Sequence, residues 1–222
     1  MPAWTSRNST DVLPFLSKLL SSKWTKAVVF LLCSMPAAII ALRFYQGNVT
    51  ANPVEYLQHT TGDWTLRFLL ITLCITPLRK FLNLPDLIRF RRMLGLFAFF
   101  YVCLHFLTYI GPDQAFDLAG MWKDVAKRRF VTVGFLGFVL LIPLALTSTK
   151  GWIRRLGGKR WQALHRLIYV IALCGVVHYY WLVKSDHRLP LLYGAILAVL
   201  LLYRLAVSLW KARPAVSISP AS

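Results

Sequence analysis

Charge is scarce in this sequence, and negative charge is scarcer still. Only 15% of the 222 residues are charged, and only eight are Asp or Glu, whereas a soluble domain has roughly 25% charged residues. By contrast, 57% of the residues are hydrophobic and the mean hydropathy is +0.56. A water-soluble fold could not hide this much apolar surface. The composition therefore predicts an integral membrane protein with membrane lipid around it.

Closely spaced metal ligands are also missing. The four cysteines, Cys33, Cys74, Cys103 and Cys174, lie singly in different apolar segments, and no CxxC pair occurs. We interpret them as small buried residues. No carboxylate lies deep in an apolar run, which argues against a zinc or di-iron site and against a proton-coupled transporter.

A nucleotide-binding module is not evident. The sequence contains no GxGxxG motif, no βαβ pattern, no internal repeat and no low-complexity segment. It therefore predicts no Rossmann domain for NAD(P)H within this chain. The first 25 residues have no apolar core of the kind found in signal peptides, so we expect no signal peptide there.

Six apolar runs approach the ~20 residues that a helix needs to cross a bilayer. Together they predict an all-α, polytopic bundle of six transmembrane helices over residues 26–210, preceded by a cytoplasmic segment, 1–25, and followed by a cytoplasmic tail, 211–222. The second run carries Arg67 near one end, where we expect its side chain to snorkel toward the interface. The predicted spans are 26–44, 64–80, 93–111, 130–148, 164–183 and 189–210.

The basic residues predict the orientation. Eighteen of the 26 Lys and Arg fall on the side of the two termini and eight on the other side, within a net charge of +18. The positive-inside rule then places both termini in the cytoplasm. The loop containing Lys123, Lys127, Arg128 and Arg129 is an exception. Because the basic residues lie in short loops rather than along one helix face, nucleic acid is not an expected partner.

Two histidines share one predicted depth. His105 lies six residues before Gly111 and His178 six residues before Lys184, both at the same side of the membrane, so each is roughly 9 Å below the membrane boundary at 1.5 Å per residue. One nitrogen from each of two helices is the arrangement that binds both faces of haem iron, and Gly175 would leave room for a porphyrin edge. Haem supplies four nitrogens itself, whereas copper or zinc would be undercoordinated. The alternative for each histidine is a core residue bonded to a carbonyl.

His165 lies at the opposite end of the predicted fifth span. It is roughly 20 Å from His178 along the axis, and the two side chains would point about 140° apart on a straight helix. It should therefore not serve the same pocket. Three roles remain open: a lone ligand to a second haem, a contact to a flavin or quinone, or a structural residue.

Two basic loops flank His165. They read "LPDLIRFRRMLGL", with Arg91 and Arg92, and "TKGWIRRLGGKRWQALHRL", with Lys159 and Arg160 beside Gly157-Gly158. Such residues bind phosphate groups or haem propionates, and Trp152 and Trp161 offer rings for stacking. The alternative is ordinary positive-inside anchoring.

Four segments carry a resemblance to a known family. They are "TGDWTLRFLLITLCITPLRKF", "RRMLGLFAFFYVCLH", "RRFVTVGFLGFVLLIPLALTS" and "RRLGGKRWQALHRLIYVIALCGVVHYYW". Together they resemble the MsrQ (YedZ) family, the haem-binding membrane subunits of a bacterial protein-methionine-sulfoxide reductase system. That family belongs to the ferric-reductase-like transmembrane superfamily, whose six-helix core is shared with NADPH oxidases.

The resemblance implies a set of cofactors and partners. It implies b-type haem, with FMN as an open second cofactor, and haem-linked histidines at His105, His165 and His178. It also implies a bacterial inner-membrane location and electron delivery to a periplasmic molybdopterin-dependent methionine-sulfoxide reductase. The loop at Gly157-Gly158 is one residue longer than the family's usual "RLGKRW".

The combined prediction is an inner-membrane b-type cytochrome. Electrons would come from the quinol pool or a cytoplasmic flavin reductase, and the sulfoxide reduction itself would occur on the partner. His105 and His178 would be the axial ligands, and His165 with Arg91, Arg92, Lys159 and Arg160 would form the electron-entry site. The alternatives are a transmembrane ferric-chelate or oxygen reductase of the same superfamily, and a non-redox scaffold or transporter.

Overall fold

The structure, a computed structural model, describes residues 9–212. These residues fold into helices, with a 3-10 turn at Pro85–Leu87 and a π-helical turn at Tyr109–Asp113, and no strand occurs among them. The outermost parts of the two predicted cytoplasmic segments, 1–8 and 213–222, lie outside the described residues. The helices are α1 (Ser9–Ser21), α2 (Lys23–Tyr45), α3 (Pro53–Phe81), α4 (Ile88–Thr108), α5 (Leu118–Lys127), α6 (Arg129–Leu146), α7 (Lys150–Leu156), α8 (Gly158–His165), α9 (Leu167–Leu182) and α10 (Arg188–Ala212).

The predicted all-α membrane fold is confirmed, but the count of six spans is not exact. By length and composition, five helical segments of the described chain can cross a membrane: Lys23–Tyr45, Pro85–Asp113, Arg129–Leu146, Gly158–Leu182 and Arg188–Lys211. The second predicted span, 64–80, lies within the longer helix α3, which is not among them. Its first turns carry Glu55, His59 and Asp63, and most of its apolar residues between 66 and 75 are buried inside the bundle.

Arg67 has several partners within the protein. Its Nε donates a 2.9 Å hydrogen bond to the Tyr193 hydroxyl, and its guanidinium lies 4.9 Å from the centre of the Trp64 ring. A terminal nitrogen lies 3.5 Å from the Asp63 carboxylate, one turn earlier on α3. Since a charged side chain inside a membrane protein needs partners, these contacts hold Arg67 within the bundle.

The centre of the fold consists of two helical hairpins that face each other. In the first, α3 packs along α4, and in the second, α6 packs along α9. Helix α2 covers the first hairpin, whereas α10 packs against α9 and α3. The buried residues between these helices include Leu66, Leu69, Leu73, Ala98, Tyr101, Leu141, Ile171, Ala172 and Leu197.

The outward faces of the peripheral helices are strongly apolar. Leu31 and Leu32 on α2 and Val199 and Leu202 on α10 are each more than half exposed. Exposed apolar surface of this extent is typical of lipid-facing helices. The fold therefore has a protein core and an apolar outer surface, as the composition requires.

A tyrosine hydroxyl forms hydrogen bonds with the backbone at the proline kink of α2. Pro36 lies inside this helix and interrupts its hydrogen bonding. The Tyr101 hydroxyl donates to the Cys33 carbonyl at 2.9 Å and accepts from the Ala37 N–H at 3.0 Å, so one side chain serves both backbone groups. Tyr101 is fully buried. The contact ties α2 to the first hairpin.

We expect Tyr101→Phe to destabilise the protein by about 1–3 kcal/mol, because it leaves a carbonyl and an N–H unpaired in a buried site. Thermal unfolding of the purified protein in detergent measures the change. Tyr45→Phe is the control, since Tyr45 is 89% exposed. Equal stability of the two variants would show that the hydroxyl does not hold the kink.

Candidate cofactor-binding site

A cavity of about 320 Å³ lies between the two hairpins. Residues of α3, α4, α6 and α9 line it, and both His105 and His178 are among them. Its inner part is apolar, with Leu66, Leu69 and Ile171, whereas polar side chains collect toward one end. An apolar cavity with a few convergent polar groups is the usual form of a cofactor site.

His105 is held by the neighbouring helix of its hairpin. Its Nδ1 lies 2.9 Å from the carbonyl oxygen of Gln58 on α3. One turn later on α3 is Gly62, where an added Cβ would lie 3.2 Å from the imidazole ring. The missing side chain lets the ring approach the helix backbone closely.

His178 is held in the same way in the second hairpin. Its Nδ1 lies 2.7 Å from the carbonyl oxygen of Phe130 on α6. One turn later is Gly134, where an added Cβ would lie only 2.5 Å from that Nδ1. Each imidazole therefore rests on a helix carbonyl followed, four residues on, by a glycine.

These contacts fix the tautomer of both rings. A carbonyl oxygen can only accept a hydrogen bond, so each Nδ1 carries the proton and each Nε2 keeps a free lone pair. The ring centres of His105 and His178 lie 6.1 Å apart, with the planes 82° to each other. Two metal–nitrogen bonds of about 2 Å, plus the distance from each nitrogen to its ring centre, give a separation of about 6 Å. The pair fits one metal ion held between the rings.

The protein alone does not complete the coordination of such an ion. Within residues 9–212, no group of three or more His, Cys, Asp or Glu side chains is arranged to hold a metal. The ion would need further donors from a cofactor, and a porphyrin supplies four nitrogens. The two free Nε2 atoms and the glycine gaps fit haem.

The structure places His165 outside this cavity. Its ring stacks on Trp161 with ring centres 3.9 Å apart, and its Nε2 lies 3.1 Å from the Thr147 hydroxyl. The predicted straight fifth span is in fact broken, because α8 ends at His165 and α9 begins at Leu167. The angle calculated for a straight helix therefore does not apply, although the two histidines remain separate.

The basic candidates lie with His165 rather than with the cavity. Arg91 is half-buried and lies near His165, whereas Arg92, Lys159 and Arg160 are exposed. None of the four lines the cavity. The aromatic candidates in this region already have partners, since Trp161 stacks on His165 and the Trp152 ring faces Arg155 at 5.5 Å.

Sequence reasoning missed the residues that orient the two imidazoles. Gly62 and Gly134 are isolated glycines within helical segments, and such glycines often mark a site of close packing. A glycine does not indicate, however, which residue packs against it. Gln58 and Phe130 act through their backbone carbonyls, for which side-chain type carries no signal. His187, which lies outside the predicted spans, is half-buried beside Tyr180, with the ring centres 4.8 Å apart.

Comparison with known proteins agrees with this architecture. The family model described as "Ferric reductase like transmembrane component" matches residues 61–176, which include both cavity histidines and His165. No solved structure matches the chain.

Curated relatives cover most of the chain at high identity. The protein-methionine-sulfoxide reductase heme-binding subunit MsrQ of Herminiimonas arsenicoxydans is 55% identical, over 81% of this chain and 83% of its own. The proteins of the same name from Caulobacter vibrioides and Rhodospirillum rubrum are 51% and 48% identical, over 86% and 85% of this chain, and each is covered over 90% of its own length. The four sequence segments, the membrane bundle and these relatives all agree. The chain therefore belongs to the MsrQ family of ferric-reductase-like membrane proteins.

Proposed function

We propose that this protein is the haem-binding membrane subunit of a methionine-sulfoxide reductase system and carries electrons across the bacterial inner membrane. The observation that carries the proposal is the pair of imidazoles 6.1 Å apart, each with Nδ1 on a helix carbonyl and Nε2 free. The names of the relatives, which call them heme-binding subunits, support it. The haem is of b type, which means that it is held by the two histidines and by packing in the cavity, without a covalent bond to the protein.

The residues of this chain have separate tasks in that function. His105 and His178 bind the iron, which supplies one-electron chemistry when the haem is bound. The Gln58 and Phe130 carbonyls keep both rings in the ligating tautomer, as neighbouring hydrogen-bond partners commonly do for metal-bound histidines. The apolar wall around Leu66, Leu69 and Ile171 excludes water.

Electrons enter at the end that carries His165 and leave at the end that carries His105 and His178. The donor is the quinol pool or a cytoplasmic flavin reductase. In a second version of this proposal, FMN binds near Lys159 and Arg160 and passes the electrons on. The acceptor is a periplasmic molybdopterin-dependent reductase, on which the sulfoxide is reduced. Both termini lie in the cytoplasm in this arrangement, as the positive-inside rule requires.

We expect His105→Ala or His178→Ala to abolish the low-spin haem absorption of the purified protein, because each removes one iron ligand. His165→Ala should keep that absorption and slow reduction from the cytoplasmic side. His187→Ala is the control, since His187 does not line the cavity. Full haem retention by either cavity variant would refute the pairing, and complete haem loss in His165→Ala would refute the separate roles.

We expect Gly134→Ala to weaken haem binding strongly and Gly62→Ala to do so less. An added Cβ lies 2.5 Å from His178 in the first case and 3.2 Å from His105 in the second, and such overpacking costs about 1–3 kcal/mol. The ratio of Soret to protein absorbance after purification measures the effect. The control is Gly95→Ala, whose Cβ meets Thr72 at an ordinary 3.8 Å. Equal haem content in all three would refute the role of the glycines.

We expect the double variant Lys159→Gln/Arg160→Gln to slow reduction by a flavin reductase several-fold at low salt, with the difference shrinking as salt screens the charges. Stopped-flow absorbance at the haem band in proteoliposomes measures the rate. Replacing Lys127 and Arg129 by Gln at the opposite end changes the net charge equally and is the matched control. Equal rates would assign Lys159 and Arg160 to membrane topology alone.

A further inference from the structure

Two buried hydrogen-bond donors in the cavity have no partner. The side-chain Nε2 of Gln58 and the hydroxyl of Tyr109 are shielded from solvent, and neither forms a hydrogen bond with the described residues. Both residues line the cavity. Buried polar groups in proteins are almost always paired, so two unpaired donors in one cavity indicate a ligand that accepts hydrogen bonds.

Both donors lie beside the same imidazole. The backbone carbonyl of Gln58 holds His105 Nδ1 at 2.9 Å, so its side chain begins next to that ring. Tyr109 follows His105 by four residues, one turn on, where α4 passes into the π-helical turn. The donors therefore mark one corner of the cavity, on the His105 side.

A cation completes this corner. Arg128 lines the cavity and lies close to Tyr109. Its Nε contacts the Asp124 carboxylate at 3.3 Å, and its terminal nitrogens form no other ion pair among residues 9–212. An amide, a hydroxyl and a guanidinium around one position are suited to a carboxylate, because hydrogen bonds to a charged acceptor are the strong ones.

We propose that Gln58, Tyr109 and Arg128 form a carboxylate-binding corner that holds the propionate groups of the haem. This inference rests on the proposed function, since it assigns contacts to the cofactor proposed there. His105 and His178 fix the centre of the ring but allow rotation about the line that joins them. The corner would fix this rotation by holding the propionates beside Arg128.

The acidic residues near the cavity have cationic or amide partners of their own. Asp124 lies near the Tyr109 hydroxyl, and it accepts from Arg128 and from Gln114, each at 3.3 Å. Two further carboxylates line the cavity: Asp63, which Arg67 contacts at 3.5 Å, and Asp113, which accepts from Gln114 at 3.4 Å. Asp113 also lies near Tyr109, so Arg128 has to offset its repulsion of a propionate in this corner.

The test uses the full-length protein purified with its haem. Three variants each remove one donor: Gln58→Leu, Tyr109→Phe and Arg128→Gln. Gln58→Leu keeps the backbone carbonyl that holds His105, so the iron ligand stays in place. Tyr180→Phe and Arg129→Gln are the matched controls, because both side chains are exposed and neither lines the cavity.

Two measurements separate a propionate contact from a general packing defect. The first is the rate of haem transfer to excess apomyoglobin, which we expect to rise about tenfold for each variant as a hydrogen bond to a charged group is lost. The second is the propionate bending band in the resonance Raman spectrum, which should shift while the low-spin marker bands stay unchanged.

Each outcome bears on a different claim. Faster haem loss together with a shifted propionate band, absent in both controls, supports the corner. If haem transfer and propionate bands equal those of the controls, the corner is overturned and the proposed function stands. Faster haem loss with an unshifted propionate band would have the same two consequences. A wild-type protein without a low-spin haem spectrum would instead overturn the proposed function itself.

Discussion

The hydrogen bond from an imidazole to a helix carbonyl is the interaction on which the site depends. Inside a helix, each carbonyl already accepts the N–H four residues later, and for Gln58 and Phe130 those residues are Gly62 and Gly134. A carbonyl has two lone pairs, so it can accept from the histidine as well, provided that no side chain stands in the way. The glycines meet this condition. Both imidazoles are thereby oriented by rigid backbone, each within its own helical hairpin.

Much of this arrangement could be predicted from the sequence, because the bilayer fixes the length of its helices. Counting residues from the span ends gave His105 and His178 one depth, and the structure brings the rings together. The partners of the rings were beyond sequence reasoning. In helices that are apolar on all sides, periodicity does not reveal which faces meet, and a backbone carbonyl has no residue signature. Residues 64–80 are helical as predicted, but they continue a helix that begins at Pro53 with polar turns carrying Glu55, His59 and Asp63, and apolar length alone could not reveal that start.

The distribution of charge gives the two ends of the bundle different characters. All four ion pairs within residues 9–212 lie on the side of His105 and His178: Glu55 with His59, Asp63 with Arg67, Asp124 with Arg128, and Asp186 with Arg188. At the His165 end, the basic side chains have few acidic neighbours. Coulomb attraction at that end is therefore available to an external anionic partner.

The scarcity of acidic residues also explains why carbonyls, rather than carboxylates, orient the two imidazoles. A carboxylate behind each imidazole would place two further negative charges in the low-dielectric interior, where an ionised group is costly unless it is fully paired. A helix carbonyl offers an acceptor at the same position without any charge, and its geometry is already fixed by the helix. The site thus gains oriented ligands at little electrostatic cost. The same reasoning accounts for the glycines, because a carbonyl in the middle of a helix can be reached only where the covering side chain is missing.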